Sequence, residues 1–552
     1  MEQTIQAIVD YLRQGSQPDA RWLDRLVRAA NAKTHDAQRH VAKKRLLPFY
    51  LRERNADTPL FRSWDVDEAL DDAIVALLRA KPRRTASGVA TITVLTKPWP
   101  CTAECIYCPN DPRMPKSYLS DEPACQRAER CGFDPYLQVA ARLKVLADMG
   151  HNTDKVELIV LGGTWSEYPT SYQVWFVTEL FRALNDAGAD GCEDTLARRW
   201  TAREAGACLE EPGSLDALER EQVRNEGALH RNVGLVVETR PDCIDRDHLT
   251  HLRRLGCTKI QMGIQSLSPD ILAANCRRTT VDDVVRAFAL LREFGFKSHV
   301  HFMVNLLDAT PADDAAGYRQ LVTDERFLPD EVKLYPCALV ESARLMGEWE
   351  AGRWHPYGEG ELIDVLADAV LATPSWTRIS RMIRDISSTD IVTGNKKTNL
   401  RQLVECEVAR RCAEGGERVR EMRMREIATD EPVGKPRLDV IEYATATTDE
   451  AFLQYVTDDG RLMAFLRLSL PRDGRGVAMI REVHVYGKVS RLHEAKEGAQ
   501  HLGLGRTLVD QACALARERG FSSIDVISAV GTREYYRRLG FEDAGLYQRR
   551  AL

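Results

Sequence analysis

The hydrophobic positions of the chain change their spacing twice. Up to about residue 85 they recur at helical intervals, as in Ile5, Ile8 and Leu12, and predict a helical region. From Val89 onward, short apolar runs alternate with amphipathic stretches, which is typical of βα units around a parallel sheet. From about residue 436, strand-like segments surround one glycine-bearing turn and one helix. The pattern predicts an α/β protein with a helical N-terminal region.

The middle region contains the predicted strands of a partial (βα)6 barrel. These strands are almost continuously apolar, as expected where both faces of a parallel sheet are buried. Amphipathic helices are predicted between them, for example at 135–149 and 281–294. Active sites of such barrels lie at the carboxyl ends of the strands. The predicted strands span 89–95, 156–162, 233–239, 259–265, 299–305 and 331–336.

These patterns divide the chain into four segments. Residues 188–222 are polar, acidic and long for a βα connection, so they are interpreted as an insertion at the periphery of the barrel. The segments are a basic helical region (1–85), the barrel (86–375), a basic bridge (376–435) and a C-terminal α/β domain (436–552).

Composition narrows the class of protein. A chain of 552 residues, 44% hydrophobic, is long enough for two or three domain cores. No apolar run approaches the roughly 20 residues of a membrane span, and the N-terminus lacks the apolar stretch of a signal peptide. We therefore expect a cytoplasmic protein without membrane association, whose 14 cysteines are reduced or bind metal.

The net charge of -6 argues against a uniformly basic nucleic-acid binder. Basic residues nevertheless cluster locally, and clustered cations are the usual binding sites for a phosphate backbone. A solvated charged surface is the alternative for each single residue. The candidate RNA-binding clusters are Lys43, Lys44 and Arg45; Lys81, Arg83 and Arg84; and Arg378, Arg381 and Arg384 at three-residue spacing.

Cys101, Cys105 and Cys108 form a C-x3-C-x2-C motif directly after the first predicted strand. Three thiolates on one tight loop suit a four-iron four-sulfur cluster with one iron left open to a further ligand. A structural zinc site normally needs a fourth protein ligand, and no cysteine or histidine pair stands at complementary spacing. A partial zinc knuckle and chance clustering remain the alternatives.

Polar residues end several of the predicted barrel strands. Buried polar groups are costly unless they are paired, so contact with a ligand is a reasonable interpretation. A tight turn, a cap or a salt bridge is the alternative for each. These residues are Gly162, Gly163 and Thr164 after the second strand, Glu238 and Arg240 at the third, and Gln265 at the fourth.

A second candidate site lies near the C-terminus. Gln500, Gly503, Leu504 and Gly505 form a glycine loop that opens a helix, and the free N–H groups of such a helix suit the pyrophosphate of coenzyme A. The preceding strand adds Glu482, Val483, His484 and Val485 as candidate contacts. Downstream, the hydroxyl of Tyr535 or Tyr536 could reach the thioester, although ordinary packing is the alternative for each.

These motifs resemble known families. The cysteine triplet with its Gly-Gly turn resembles the radical S-adenosylmethionine (SAM) superfamily, and the C-terminal order of motifs resembles the GNAT acetyltransferases. Both together resemble the catalytic subunit of Elongator and its single-chain bacterial and archaeal relatives. The resemblance extends over most of the chain, including the segments MGHNTDKVELIVLGGT, RNVGLVVETRPDCI, GCTKIQMGIQSLSPDIL and GTREYYRRLGF.

The resemblance implies a reaction and its cofactors. A 5′-deoxyadenosyl radical from SAM would take hydrogen from the methyl group of acetyl-CoA, and the resulting carbon radical would add to C5 of a tRNA wobble uridine. Cys101, Cys105 and Cys108 would then hold the cluster, and Gly162, Gly163 and Thr164 would bind SAM. Lys155 would neutralise a phosphate of coenzyme A, with a surface lysine as the alternative. The implied partners are the tRNA anticodon stem-loop, also contacted by the N-terminal region, acetyl-CoA and an electron donor. A homodimer is left open.

One segment departs from the family. Relatives commonly carry a cysteine-rich, zinc-binding bridge, whereas this chain has Val419, Glu421 and Met424 at the corresponding positions. We therefore expect no structural zinc there, and a bridge stabilised by packing or salt bridges.

Three other functions remain open from the sequence. The first is a protein lysine acetyltransferase that uses only the C-terminal domain. The second is a radical SAM enzyme that acts on a small metabolite. The third is a non-enzymatic tRNA-binding scaffold, which would leave two cofactor motifs without a use.

Overall fold

The computed structural model describes residues 1–15, 18–32, 40–79, 88–207, 209–416, 418–427, 436–472, 474, 476–486 and 503–552. Within these ranges the chain forms an N-terminal helical region, an all-parallel sheet of seven strands and a second, mixed sheet of seven strands. The predicted α/β class is confirmed, including the helical N-terminus, the partial barrel and the C-terminal α/β domain.

The N-terminal helices enclose a core of their own. Tyr50 and Trp64 stack with ring centroids 6.0 Å apart and are almost fully buried, with Ile5, Ile8 and Ile74 in the same cluster. Thr58 and Asp67 cap the fourth and fifth helices through their side chains. The helices are α1 (Glu2–Arg13), α2 (Ala20–Ala32), α3 (Lys43–Asn55), α4 (Pro59–Ser63) and α5 (Glu68–Leu78).

The barrel sheet has the strand order β1-β2-β3-β4-β5-β6-β8, with every neighbouring pair parallel. Strands β7 and β9 pair with each other separately and antiparallel. The strands are β1 (Ala90–Leu95), β2 (Lys155–Leu161), β3 (Arg231–Thr239), β4 (Lys259–Gln265), β5 (Lys297–Val304), β6 (Glu331–Pro336), β7 (Leu339–Val340), β8 (Arg378–Arg381) and β9 (Ile391–Thr393).

The seventh barrel strand, β8, corrects the expectation of six. It pairs with β6 from Glu331 opposite Arg378 and lies in the segment assigned to the bridge. Its sequence, Arg-Ile-Ser-Arg, contains a single apolar residue, so an apolar run could not reveal it.

Helices cover the outer face of the barrel sheet. Thr280 and Thr310 form capping boxes at the starts of α13 and α14. In chain order the helices are α6 (Pro123–Arg130), α7 (Pro135–Asp148), α8 (Thr170–Asp186), α9 (Cys192–Glu204), α10 (Leu215–Glu226), α11 (Arg246–Arg254), α12 (Pro269–Ala274), α13 (Val281–Glu293), α14 (Pro311–Thr323), α15 (Leu345–Glu350), α16 (Glu359–Ala372), α17 (Leu400–Gly415) and α18 (Met422–Arg425).

The predicted insertion, residues 188–222, contributes α9 and most of α10. Helix α9 is largely exposed, whereas α10 buries Leu218, Gln222 and Asn225 and packs against α8 and the C-terminal domain. The insertion is therefore peripheral only in its first half.

The bridge is held by packing and hydrogen bonds around α18. Met422 is fully buried, and the buried carboxylate of Glu421 accepts hydrogen bonds from the amides of Ile379 (2.6 Å) and Met424 (2.9 Å). The guanidinium of Arg378 pairs with Glu426 at 2.6 Å. These contacts connect the bridge to the barrel strand β8.

The C-terminal sheet has the order β10-β11-β12-β13-β14-β16-β15. Only β13 and β14 run parallel, and they pair only between 478–480 and 524–526, so the second half of β13 faces a gap. The elements are β10 (Arg437–Ala444), β11 (Thr448–Val456), β12 (Leu462–Pro471), β13 (Ala478–Val485), α19 (Leu504–Glu518), β14 (Ser523–Val526), α20 (Arg533–Arg537), β15 (Glu542–Ala544) and β16 (Tyr547–Ala551).

A buried ionic network joins the two sheets. Asp330, which is fully buried at the start of β6, binds Arg481 of β13 through two hydrogen bonds of 2.7 and 2.8 Å. Arg481 also contacts Glu450 at 2.8 Å, and Arg467 lies 3.4 Å from Asp330. Arg292 of α13 completes the network at 3.1 Å from Glu450. Three carboxylate–guanidinium contacts thus cross from the barrel to the C-terminal domain.

In the part of the chain given above, no helix combines the length and the apolar character that crossing a membrane requires.

Candidate functional site

The three motif cysteines lie on the loop after β1, at the carboxyl end of the barrel. Cys105 is buried, and Cys101 and Cys108 are partly buried. Guanidinium groups reach two of the sulfurs: Arg240 Nη1 lies 3.6 Å from Cys101 Sγ, and Arg277 Nη1 lies 3.5 Å from Cys105 Sγ. A nearby cation favours the thiolate, which is the form that binds metal.

For the third thiol, Cys108, burial disfavours the thiolate form. Desolvation raises the pKa of Cys108 to about 11, with Lys116 and Arg384 opposing it. Within the described residues, no three His, Cys, Asp or Glu side chains converge on a single metal ion. A four-iron cluster makes a different demand, because each cysteine binds a separate iron. Three thiols on one loop, two of them in contact with guanidinium groups, fit that demand.

The glycine turn after β2, formed by Gly162 and Gly163, packs closely against the loop that follows β1. A Cβ on Gly162 would lie 1.7 Å from Thr96 Oγ1, and a Cβ on Gly163 would lie 3.4 Å from the carbonyl oxygen of Lys116. Both glycines have positive φ, at 143° and 84°. The Oγ1 atom of buried Thr164 is 3.8 Å from Cys101 Sγ. The turn therefore offers backbone groups to a ligand directly beside the cysteines.

The other predicted strand-end residues lie at the same end of the barrel. Glu238 accepts a hydrogen bond from the Tyr118 hydroxyl at 2.8 Å. Arg240 also pairs with Glu167 and Asp242, both at 2.8 Å. Gln265 has a φ of 68°, and none of the described residues hydrogen-bonds its buried Oε1 atom. An unsatisfied buried oxygen at a strand end is the property expected of a ligand contact.

Polar side chains inside the barrel form a further part of the site that sequence reasoning missed. The Lys333 ammonium donates a hydrogen bond of 2.5 Å to Gln261 Oε1, which also lies 3.2 Å from His301 Nε2. Burial lowers the pKa of Lys333 to about 8 and holds the pKa of His301 well below its ordinary value. The sequence did contain a signal for them. Polar residues alternate with apolar ones in β5 (His299, His301) and β6 (Glu331, Lys333), and residues two apart on a strand point to the same face of the sheet.

The amino-terminal end of the barrel faces the C-terminal domain. Glu482 of β13 lies 3.6 Å from Lys297 and 3.0 Å from Arg467. Lys155 is at this end too, as the first residue of β2, where burial lowers its pKa. It lies beside Arg231 of β3, in register with it. Its contact with a coenzyme A phosphate stays a prediction.

The gap between β13 and β14 is the candidate coenzyme A cleft. Glu482, Val483, His484 and Val485 lie on the half of β13 that pairs with β12 but not with β14. Helix α19 begins at Leu504 after Gly503, whose φ is 68°. A Cβ on Gly505 would lie 3.0 Å from the Tyr535 hydroxyl and 3.7 Å from Val485 Cγ2. The first turn of α19 therefore lies directly against α20. Gln500 falls outside the described residues.

Burial shifts the pKa of two polar groups in this region, the Tyr536 hydroxyl and the His484 imidazole. The rings of Tyr535 and Tyr536 lie 5.2 Å apart, and burial raises the pKa of Tyr536, so its hydroxyl stays protonated. Burial lowers the pKa of His484, and no hydrogen-bond partner of its Nε2 atom occurs among the described residues. The Tyr535 hydroxyl lies beside Gly505, whereas Tyr536 is buried in the C-terminal core with Glu482 among its charged neighbours. Contact of either tyrosine with the thioester stays a prediction.

Two of the three basic clusters lie within the described residues, on different elements of the fold. Lys43, Lys44 and Arg45 are exposed at the start of α3, where Lys43 pairs with Asp24 at 3.0 Å. Lys81, Arg83 and Arg84 fall outside the described residues. Arg378 belongs to the bridge contact with Glu426, whereas Arg381 and Arg384 lie near Tyr118 and Tyr335 at the barrel mouth. Their contact with RNA stays a prediction.

Family models match successive parts of the chain. The Radical SAM superfamily matches residues 101–316, the Radical_SAM C-terminal domain residues 329–410, and the Acetyltransferase (GNAT) family residues 418–541. A tRNA uridine(34) acetyltransferase of Dehalococcoides mccartyi is 37% identical over 480 residues, which cover 84% of this chain and 97% of that protein. The chain belongs to the tRNA uridine(34) acetyltransferase and Elongator complex protein 3 family.

Other members of the family agree over similar lengths. The tRNA uridine(34) acetyltransferase of Methanocaldococcus infernus is 35% identical, covering 87% of this chain and 88% of that protein. Human Elongator complex protein 3 is 32% identical, with 85% of each chain covered. The solved structure of M. infernus Elp3 with an N-terminal deletion matches with a TM-score of 0.68 and 32% identity, covering 84% of this chain and all of that one.

The matches to the family models assign the two sites to two known types of domain. The cysteine loop and glycine turn belong to the radical SAM barrel, and that family implies a four-iron four-sulfur cluster and SAM. The β13–β14 gap, α19 and α20 belong to the GNAT domain, which acetyl-CoA fits. The cysteine loop follows β1 at the carboxyl end of the barrel, and Glu482 of the GNAT domain contacts Lys297 at the amino-terminal end.

Proposed function

We propose that this protein modifies C5 of the wobble uridine of tRNA with a carboxymethyl group derived from acetyl-CoA. The proposal rests on one observation. The cysteine loop and the β13–β14 cleft sit at the two ends of a barrel lined by His301, Lys333 and Gln261, in a chain whose relatives are named tRNA uridine(34) acetyltransferases. Joining two cofactor sites through one interior suits a reaction that needs both.

Cys101, Cys105 and Cys108 would hold a four-iron four-sulfur cluster, which would supply the electron for reductive cleavage of SAM. The chain's own residues do the rest. Arg240 and Arg277 donate to two of the thiolate sulfurs, and the Gly162–Gly163 turn presents backbone beside them for SAM. The buried barrel interior would shield the radical from side reactions with other hydrogen donors.

The GNAT side of the proposal concerns the thioester. The Tyr536 hydroxyl remains protonated, so it can donate a hydrogen bond to the thioester carbonyl while the bond is hydrolysed. The helix start at Leu504 offers unpaired N–H groups to the pyrophosphate. In the barrel, Lys333 is protonated at neutral pH and provides a second donor between the two sites.

Transfer RNA would approach the open mouth of the barrel. Bases of an anticodon loop are already partly unstacked, so presenting the uridine costs only about a few kcal/mol. Arg381 and Arg384 at the mouth and the exposed Lys43–Arg45 cluster would contact phosphates. The proposal includes an electron donor from outside the chain and a cytoplasmic location.

The test is an anaerobic reaction of the reconstituted protein with tRNA, SAM, reductant and carbon-labelled acetyl-CoA. We expect label in 5-carboxymethyluridine, lost in Cys105→Ser and retained in the control Cys406→Ser, which changes an exposed cysteine of α17. Label in lysine residues of added protein, unchanged in Cys105→Ser, would instead identify a protein acetyltransferase. Label in neither tRNA nor protein, with SAM consumed, would indicate a small-molecule substrate.

A further inference from the structure

Helix α20, which carries Tyr535 and Tyr536, is joined to helix α10 of the barrel through the carboxylate of Glu226. Glu226, the last residue of α10, accepts from Arg533 Nη1 at 3.1 Å through Oε1 and from Arg537 Nη1 at 2.6 Å through Oε2. Arg533 and Arg537 flank Tyr535 and Tyr536 on α20. The carboxylate therefore uses both of its oxygens to hold both ends of the tyrosine helix.

The three side chains are shielded enough for this contact to matter. The Glu226 side chain is 12% exposed, and those of Arg533 and Arg537 are 27% and 31% exposed. Hydrogen bonds to Glu226 make the largest contribution to the raised pKa of Arg537. Charge-assisted hydrogen bonds in such surroundings fix orientation better than exposed pairs do.

The position of Glu226 is itself set by the barrel. The neighbouring Asn225 is fully buried, donates to Asn185 Oδ1 at 2.8 Å and accepts from the amide of Asn232 at 2.7 Å. One turn earlier, Gln222 donates to the carbonyl of Arg254 at 2.9 Å. A satisfied buried polar network rigidifies its surroundings, so the carboxylate is presented from a fixed base.

The entry to α20 packs against the same part of the barrel. A Cβ on Gly531 would lie 2.6 Å from Arg231 Cβ and 2.7 Å from the carbonyl oxygen of Asn232, at the start of β3. This contact places the backbone before α20, and side chains of the five-residue helix add others: Arg537 pairs with Asp543 at 2.7 Å, and Tyr536 is buried in the C-terminal core. Glu226 adds a contact from the barrel to this set.

We infer that Glu226 is a positioning residue for the thioester step, holding α20 so that Tyr535 and Tyr536 face the β13–β14 cleft. Through it, helix α10 of the radical SAM barrel, which lies between β2 and β3, sets the geometry of the GNAT site. The inference rests on the proposed function to the extent that it assigns the tyrosines to acetyl-CoA.

Three variants of the full-length protein test this role. Glu226→Gln removes the charge and one acceptor, and Glu226→Asp keeps the charge on a shorter side chain. Glu219→Gln is the matched control, because Glu219 lies on the same helix in an exposed pair with Arg254 at 3.5 Å. Measurements are kcat and KM for tRNA-dependent acetyl-CoA hydrolysis, SAM cleavage to 5′-deoxyadenosine, and hydrogen exchange of the amides at 533–538.

For Glu226→Gln we expect kcat of hydrolysis to fall about tenfold, with KM changed less than about twofold, because the thioester geometry and not the pyrophosphate site is disturbed. Amide exchange at 533–538 should accelerate, SAM cleavage should stay at the wild-type rate, and Glu226→Asp should recover part of kcat. Glu219→Gln should match wild type in every measurement.

Two results would overturn the inference. One is a Glu226→Gln protein with wild-type kcat and wild-type exchange in α20. The other is an equal fall of hydrolysis, SAM cleavage and melting temperature, which would make Glu226 a general stabiliser of the interface. If wild-type protein consumes no acetyl-CoA with tRNA, the proposed function fails, while the exchange measurement still decides whether Glu226 orders α20.

Discussion

Replacing Asp330 by asparagine should weaken the attachment of the GNAT domain to the radical SAM barrel. The carboxylate is fully buried and accepts two hydrogen bonds from Arg481 and two from Ser298, at 2.7–3.1 Å. Burial by itself would raise its pKa, but Arg481, Arg292 and Arg467 hold the pKa well below its ordinary value. The charge is therefore favoured by its partners.

The size of the effect follows from what remains after the substitution. Asparagine keeps the shape but leaves three buried guanidinium groups with one counter-charge fewer, and breaking a buried ion pair in this way costs about 3–5 kcal/mol. For a unit of 150–250 residues this lowers the melting temperature by roughly 6–20 °C. Because the pKa of Asp330 is depressed on folding, the carboxylate stabilises the protein above about pH 4 and loses this contribution as the pH falls further.

Differential scanning calorimetry at pH 7 and at about pH 2.5, which is below the ordinary pKa of an aspartate, measures both effects. Glu293→Gln is the control, because Glu293 forms an exposed pair with Arg246 at 2.5 Å and should shift the melting temperature by less than about 4 °C. The difference between wild type and Asp330→Asn should narrow at the lower pH. A variant that melts within about 2 °C of wild type at pH 7 would refute the reasoning.

Three further predictions concern the two cofactor sites and RNA. Gly162→Ala should abolish SAM binding, measured by calorimetric titration, because its Cβ would overlap Thr96 Oγ1 and the positive φ adds about 1–3 kcal/mol of strain; unchanged affinity would contradict this. Cys105→Ser should lose bound iron and sulfide after anaerobic reconstitution but keep coenzyme A affinity, and a full complement of iron would contradict the ligand assignment. Lys44→Ala should weaken tRNA binding and reduce the salt-dependence slope by about 1, whereas an unchanged slope would exclude Lys44 from the interface.

The strands of the barrel could be predicted from the sequence because each buried parallel strand is a short run of apolar residues. The strands at 259–265 and 331–336 have the predicted bounds, and the others differ by one or two residues. The exception is β8, whose position at the sheet edge depends on pairing with β6 and not on its own composition. The fold class followed from periodicity, whereas the seventh strand needed tertiary contact.

The candidate site was predicted where chemistry is local in sequence. The cysteine triplet, the Gly162–Gly163 turn and the tyrosines of α20 stand in short motifs. Arg277, which reaches Cys105, carries no such signal, because a separation of 172 residues is closed only by the fold. The same applies to the contact between Asp330 and Arg481, which are 151 residues apart. Long-range ion pairs have no periodic signature along the chain.

The coupling of the two cofactor sites is tested most directly by the fate of one hydrogen atom. Wild-type protein is incubated anaerobically with tRNA, SAM, reductant and acetyl-CoA whose methyl group is fully deuterated, and the 5′-deoxyadenosine formed is analysed by mass spectrometry. We expect deuterium in 5′-deoxyadenosine and a labelled carboxymethyl group on the wobble uridine. Unlabelled 5′-deoxyadenosine, formed while the tRNA is modified, would contradict this expectation.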